Sequence, residues 1–584
     1  MSPKFIFVPL LSALALAQAV RHDEIVVTGT AGPVPLEEAD RSVAVLPVAG
    51  DAPLSSALVD FLRLDPSVDV RARAPGGIQT DVSIRGASFG QALVLVDGHR
   101  LNDAQTGHHN MDIPVPMEAV ERIEILRGSG STLYGSDAIG GVVNVITRKP
   151  EAAEIRVSAG AGNFGTNTER VSASASAGRI SGQLVAARDF SSGFRPGRDY
   201  RNLSLASTER LTTGLGATSV ILGYSDRPYG ADQFYGSFNS WENTKTWFAA
   251  IEQSIGERTV AAFSFRRHSD LFVLERYRPE YYTNHHADDS YDASLRRREP
   301  LSPATTLHYG AEAYRDSIVS TNLGEHTRGR AAGYLSFDAR AMRRFSFSAG
   351  AREEMWRRGR AQLSPAASAA AWLSSKWKLR ASASRAFRIP SYTELYYTDP
   401  ANIGNANLKP ESAWTYEAGA DWAPADSVRI SAAVFERRET NGIDYVRSPG
   451  APWAAVNFAS LRFQGAELTA AAGHFTVSYQ ALTGARAPLA GLESKYVFNY
   501  PTQSGIASWY GSFGRGFIAR ARLAAVNRRA RAPYALADVS VGWARGRVRP
   551  FLQLTNLAGA RYEEISGIVM PGRGVLGGLE LALR

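Results

Sequence analysis

The chain has 584 residues, 53 of them glycine and none cysteine, which excludes a disulfide scaffold, a thiolate metal site and a cysteine nucleophile. A hydrophobic share of 44% with 10% aromatics is too rich for disorder, and a mean hydropathy of −0.19 is too polar for a bundle of membrane helices. The net charge of +9 is spread over 65 basic and 56 acidic residues with no block of one sign, so no nucleic-acid partner is expected.

Lys4, the apolar run Phe5–Leu16 and the small-residue stretch Ala17-Gln18-Ala19 form a charged, apolar and cleavable series. This predicts a signal peptide over residues 1–19 and export from the cytoplasm. The apolar run is shorter than the ~20 residues that span a bilayer, and no later window supplies a helical span. Residues 20–150 then show the texture of a compact α+β domain. A helix is expected near Ser55–Leu64, with Leu54, Leu58, Phe61 and Leu62 on one stripe. Ala92–Val96 reads as a buried strand closed by Asp97-Gly98. Ile123 and Ile125 alternate with Arg122 and Glu124, and Val142–Ile146 forms another short strand.

From residue 151 to 584 the pattern turns repetitive, with strict period-two segments of about ten residues. Val171, Ala173, Ala175 and Ala177 alternate with serines; Val428, Ile430, Ala432 and Val434 form another such row, as do Phe475, Val477, Tyr479 and Ala481. Ala537, Val539, Val541 and Trp543 follow, and the chain closes on Leu579, Leu581 and Leu583. One face on lipid and one on a polar lumen is the signature of transmembrane β-strands, and closing the sheet is what removes unpaired amides from hydrocarbon. A soluble sandwich or propeller also alternates, but no blade-length repeat is visible. At ~20 residues per strand and connection, the segment holds about 22 antiparallel strands. A barrel so wide has an open lumen unless something fills it, and the preceding domain is the natural plug.

Several motifs carry a family resemblance. They are Asp23-Glu24-Ile25-Val26-Val27-Thr28-Gly29, Val82-Ser83-Ile84-Arg85-Gly86, Leu93–Gly98, Val120–Gly128 and Leu133-Tyr134-Gly135-Ser136-Asp137 continuing to Ile146. In this order they resemble the TonB-dependent outer-membrane receptors, and their wording resembles the vitamin B12 receptor branch and its siderophore-receptor relatives. Phe387-Arg388-Ile389-Pro390 with Asn405–Glu411, and Phe234-Tyr235-Gly236 with Thr244-Lys245-Thr246, are similar to barrel motifs of the same family. Two departures stand out. Residues 391–404 lack the histidine usual in haem receptors, and the chain ends in Arg584 where the family ends in Phe or Trp.

The resemblance implies a monomer in outer-membrane lipid that binds a scarce bulky ligand and imports it with energy delivered by TonB and its inner-membrane complex. Cobalamin is the first ligand implied and a ferric siderophore the alternative; a passive porin and an outer-membrane hydrolase are the rival classes. Residues Asp23, Glu24, Ile25, Val26, Val27 and Thr28 are the implied TonB box, an extended β-branched run suited to strand addition. Ligand contacts are expected at Gly76, Gln79, Ser88, Phe89, Gln91, Gln105, His108, His109, Asn110, Phe234 and Tyr235. No catalytic residue and no cofactor is expected. Gly86-Ala87-Ser88-Phe89-Gly90 matches the G-x-S-x-G elbow, but a strand instead of the required helix follows. Gly128-Ser129-Gly130-Ser131-Thr132 lacks the lysine of a phosphate loop. His285-His286 with Asp288-Asp289 reads as an external loop whose spacing matches no calcium or transition-metal site.

Overall fold

The computed structural model describes residues 25–150, 152–341, 344–356, 360–486, 491–529 and 531–583. The expected signal peptide, with Asp23 and Glu24, lies outside them. Among the described residues, 22 antiparallel strands close into a barrel. Glu154–Gly162 opens it and pairs with the final strand Gly574–Leu583, matching Ile155 to Leu583. The two-residue strands Asn402–Ile403 and Glu493–Ser494 add to its rim. No described helix is long and apolar enough to cross a membrane.

Period-two alternation becomes two faces. Leu579, Leu581 and Leu583 are half exposed, whereas Glu580 and Ala582 between them point inward and are buried. The same division separates exposed Val477 and Tyr479 from buried Ser478 and Gln480. The two ends of the barrel differ. At one end the turns are as short as 178–179, 426–427 and 473–474; at the other, connections run through 389–410, 487–500 and 556–573. Exposed Phe345, Trp377, Phe475, Phe513 and Trp543 ring the short-turn end, an aromatic belt at the level of a lipid interface. Short turns mark the periplasmic end and long loops the outer one.

Residues 25–150 form an α+β plug inside this wall. Its five-stranded mixed sheet has the order Val43–Pro47, Val120–Arg127, Gly141–Thr147, Ala92–Val96 and His99–Arg100. The pair Ala92–Val96 with Gly141–Thr147 is parallel and buried throughout, which is why Ala92–Val96 reads as a continuous apolar run. The helix is Leu58–Leu62, shorter than the stripe suggested, because Leu54 belongs to a separate 3-10 turn, Ala52–Leu54. Phe61, Leu62, Ile125 and Val143 are fully buried, and the same core continues into inward-facing Val185, Ile221 and Phe248 of the wall. The lumen is therefore apolar in one patch, where these wall residues meet the plug core.

Ion pairs complete the seating. Arg85 ends the strand Asp81–Ile84 at φ 53°, and Gly86 follows at φ 70°. A Cβ on Gly86 would stand 2.5 Å from Leu482 of the wall. The Arg85 guanidinium donates to Glu467 at 2.8 Å and to Glu417 at 2.6 Å, all three buried in the plug–wall seam. A buried pair of this kind adds little net stability, yet losing one partner strands a charge and costs about 3–5 kcal/mol.

Candidate functional site

Three layers lie between the outer mouth and the periplasmic end. The uppermost is aromatic. The 3-10 turns Phe89–Gln91 and Gly107–His109 bring Phe89 and His108 into a stack 4.2 Å apart. Tyr496, from an outer loop, meets both rings edge-on at 5.2 and 5.8 Å, and Tyr445 stands 6.3 Å beyond it. Lys495 Nζ lies within 5.7 Å of the ring centres of Tyr445, Trp453 and Tyr496. His108 Nδ1 sits 2.7 Å from Asp81 Oδ1. Burial pushes the Asp81 carboxyl up, but His108 and Arg73 more than reverse this and hold it well below the ordinary range. For His108, burial outweighs the pull of Asp81 and keeps the imidazole below its ordinary value.

The second layer is a buried histidine–carboxylate network between the plug loop and the wall. His109 turns away from His108, toward Glu242 of the strand Asn239–Ile255 and Asp270 of the strand Thr259–Val273. Adjacent residues in the tight turn thus face opposite surroundings. Burial lowers the His109 pKa, and its contacts with Asp270 and Asp112 reverse that and raise it to about 9. Gln105 donates to Asp270 at 3.2 Å. Tyr235 donates its hydroxyl to Glu242 at 2.7 Å and accepts one from the Gln79 amide. Beside this group, Arg266 joins Asp103 of the plug to Asp288 of the wall, and His268 faces Asp103 at 2.9 Å.

The residues expected to contact ligand occupy different surroundings. Phe89, His108 and Tyr235 retain open surface at the mouth. Ser88 caps the turn Phe89–Gln91, its N–H donating to the Gln91 side chain, and the strand Ala92–Val96 follows directly, so the turn is no hydrolase elbow. Gln91 is buried, donating to Glu411 and Glu439 at 3.2 Å each. The Asn110 side chain accepts from Asp103 N–H at 2.9 Å. Gly76 lies against Tyr200, and its carbonyl accepts from Asn202. Phe234 packs with Ile78 and Tyr229 beneath the Arg198 guanidinium. His285 and His286 are not in an external loop: the aromatic run at 277–282 is the connection, and the two histidines stand just inside the strand Thr283–Ser302 that follows it. His286 points inward and is buried, whereas His285 is exposed. Tyr445, Tyr496, Glu242, Asp270 and His268 were not singled out from the sequence.

The third layer is at the periplasmic end. Ile25–Val26 pairs antiparallel with Val34–Pro35. The N–H groups of Val27 and Thr28 both donate to Glu124 Oε2, at 2.9 and 2.8 Å, and Asn144 donates to the Thr28 hydroxyl at 2.9 Å. Val26 is fully buried while Ile25 is half exposed. Glu124 itself is fully buried and held by Arg122, so one carboxylate fastens the segment to the underside of the plug sheet. Beside it a cavity of about 1170 Å³ lies between plug and wall, bordered by Val27 and Pro33 and by Arg148, Arg210 and Arg297.

The TonB dependent receptor-like β-barrel family model matches residues 156–558, and the TonB-dependent receptor plug domain model matches residues 37–142. A protein named vitamin B12 transporter BtuB, from Photobacterium profundum, is 26% identical over 501 residues, 79% of this chain and 78% of its own. Among solved structures, the siderophore receptor PirA from Acinetobacter baumannii superposes with a TM-score of 0.74 at 16% identity, over 93% of this chain and 98% of its own. The FrpB iron transporter from Neisseria meningitidis gives 0.76 at 15% identity, over 93% and 100%. With barrel and plug matched in order over the wall and stopper described above, this chain belongs to the TonB-dependent receptors, transport receptors of the bacterial outer membrane.

Proposed function

We propose that this receptor captures cobalamin at its outer mouth and imports it using energy delivered by TonB. The observation that carries energy coupling is the fastening of Val27 and Thr28 to Glu124. A short extended segment fastened by a two-residue strand pairing and a few hydrogen bonds, chiefly those to Glu124, and with Ile25 exposed at its end, is a strand that can be released and added to a partner's sheet edge. Ligand bound against Phe89, His108 and Tyr496 presses on the plug turns that carry the first two. Release of residues 23–28 lets TonB pull on the plug, and the cavity beside Val27 lies along the exit. Similarity to a vitamin B12 transporter across most of both chains supports cobalamin as the cargo.

A ferric siderophore is the second reading, favoured by Lys495 among three aromatic rings at the mouth, a setting that suits an anionic, ring-bearing ligand. Calorimetry on the purified receptor in detergent, with cobalamin competing against a siderophore panel, separates the two. Saturable cobalamin binding that siderophores do not displace supports the first reading; siderophore binding with no cobalamin heat refutes it.

A further inference from the structure

We propose that His109, Glu242 and Asp270 form a binding site for one divalent first-row transition cation, such as zinc, bridging the plug loop to the barrel wall. His109 Nε2 lies 3.8 Å from Glu242 Oε1 and 3.6 Å from Asp270 Oδ2. A hydrogen-bonded imidazolium would draw its carboxylates to about 2.7–2.9 Å. Donors arranged tetrahedrally about a cation, at ~2.0–2.2 Å from it, stand about 3.4 Å from one another. The three ligand atoms lie within 4.8 Å of one another, all on buried residues.

Charge points the same way. Glu242 and Asp270 have no arginine or lysine in ion-pair contact among the described residues; His109 is the one basic group paired with either. Unless one of the two carboxyls holds a proton, an imidazolium leaves one negative charge in excess, whereas a divalent cation with neutral imidazole leaves none. Two neighbouring groupings lack this vacancy of charge. Asp103, His268 and Asp288 already hold the Arg266 guanidinium, and Asp112 already holds Arg227. Asp270 Oδ1 is also buried without a hydrogen-bond partner, so this carboxylate is under-satisfied as it stands.

The surroundings match those of a metal ligand set. A metal-bound histidine ordinarily turns its second ring nitrogen to a carboxylate; Asp112 Oδ2 stands on that side of His109, 3.7 Å from Nδ1 and so beyond hydrogen-bond length in the metal-free site. Asp112 is fixed in turn by Arg227 at 3.2 Å and His268 at 3.3 Å. Tyr235 donates to Glu242 Oε2, the oxygen opposite the one that faces His109. One imidazole with two carboxylates is a donor set suited to zinc and its first-row neighbours.

The test uses tag-free, chelator-treated full-length receptor in detergent, titrated with Co2+ and followed by visible d–d absorption, then back-titrated with Zn2+. The expected result is a band saturating at one equivalent and abolished by zinc. His109→Ala, Glu242→Gln and Asp270→Asn should each remove it, while exposed His285→Ala keeps it. Tyr235→Phe, which leaves all three ligands in place, should weaken Co2+ binding about 10–100-fold. Circular dichroism on each variant verifies that the barrel has formed. No saturable band at one equivalent, or a band that survives both His109→Ala and Asp270→Asn, overturns the proposal.

Discussion

Replacing Glu124 with glutamine should loosen the N-terminal segment, and within the plug it gives up the ion pair with Arg122. Glu124 accepts from two backbone N–H groups and is fully buried, so both bonds are charge-assisted. Such bonds are worth about 1.5–3 kcal/mol each, against about 0.5–1.5 kcal/mol for neutral ones. Glutamine keeps the shape and an acceptor oxygen, so the loss is about 1 kcal/mol per bond and about 2 kcal/mol in all. The paired strands around it stay in register. If TonB binds only the released segment, its apparent affinity is scaled by the released fraction. Two kcal/mol then corresponds to about 30-fold tighter binding of the TonB C-terminal domain to ligand-free receptor. Fluorescence anisotropy with labelled TonB domain measures it directly. An affinity equal to the parent's within twofold, or a weaker one, would refute the view that Glu124 restrains this segment.

Other consequences follow from the same geometry. Arg85→Ala leaves the wall carboxylates Glu417 and Glu467 with only their second cations, Arg380 and Arg127, and should destabilise the plug by about 3 kcal/mol, the low end for a broken buried pair, read as faster hydrogen exchange in the strand Asp81–Ile84. Phe89→Ala and Tyr496→Ala each remove a ring from the mouth, and should weaken ligand binding about tenfold in calorimetry, with no change in thermal unfolding. Asp65 responds to pH with a definite sign: burial lifts its pKa, but Arg127 at 2.6 Å brings it below the ordinary value. The pair's contribution is therefore complete above about pH 4 and is lost as pH falls through the lower folded value. Unfolding temperatures of the parent and Arg127→Gln in detergent should differ above pH 4 and converge in stronger acid.

The barrel was legible because burial on one face only imposes strict alternation, as at Val477, Tyr479 and their neighbours Ser478 and Gln480. The plug strands were legible as apolar runs closed by turns. The residues that no sequence pattern marks are polar in sequence but buried in the fold. Glu124 sits in a strand whose alternation with Ile123 and Ile125 suggests a solvent-facing acid, yet it is covered by the segment it holds. Glu242, His268 and Asp270 look like ordinary lumen residues, since a polar inner face is what any such barrel shows. Only the register between neighbouring strands, which sets His268 opposite Asp288, and the depth of the plug loop bring them together with His109. Tyr445 and Tyr496 come from strand and loop far apart in sequence, so no local pattern marks them. The pair His285-His286 reads as loop because it directly follows the aromatic connection at 277–282, and nothing in the local pattern marks that the strand has begun at Thr283.

The most direct test is to measure cobalamin at the cell surface and in the periplasm of cells carrying either the full chain or a chain lacking residues 23–28. Equal surface binding with uptake only by the full chain is the predicted result. Uptake that persists after the deletion, or in cells without TonB, would contradict energy-coupled import.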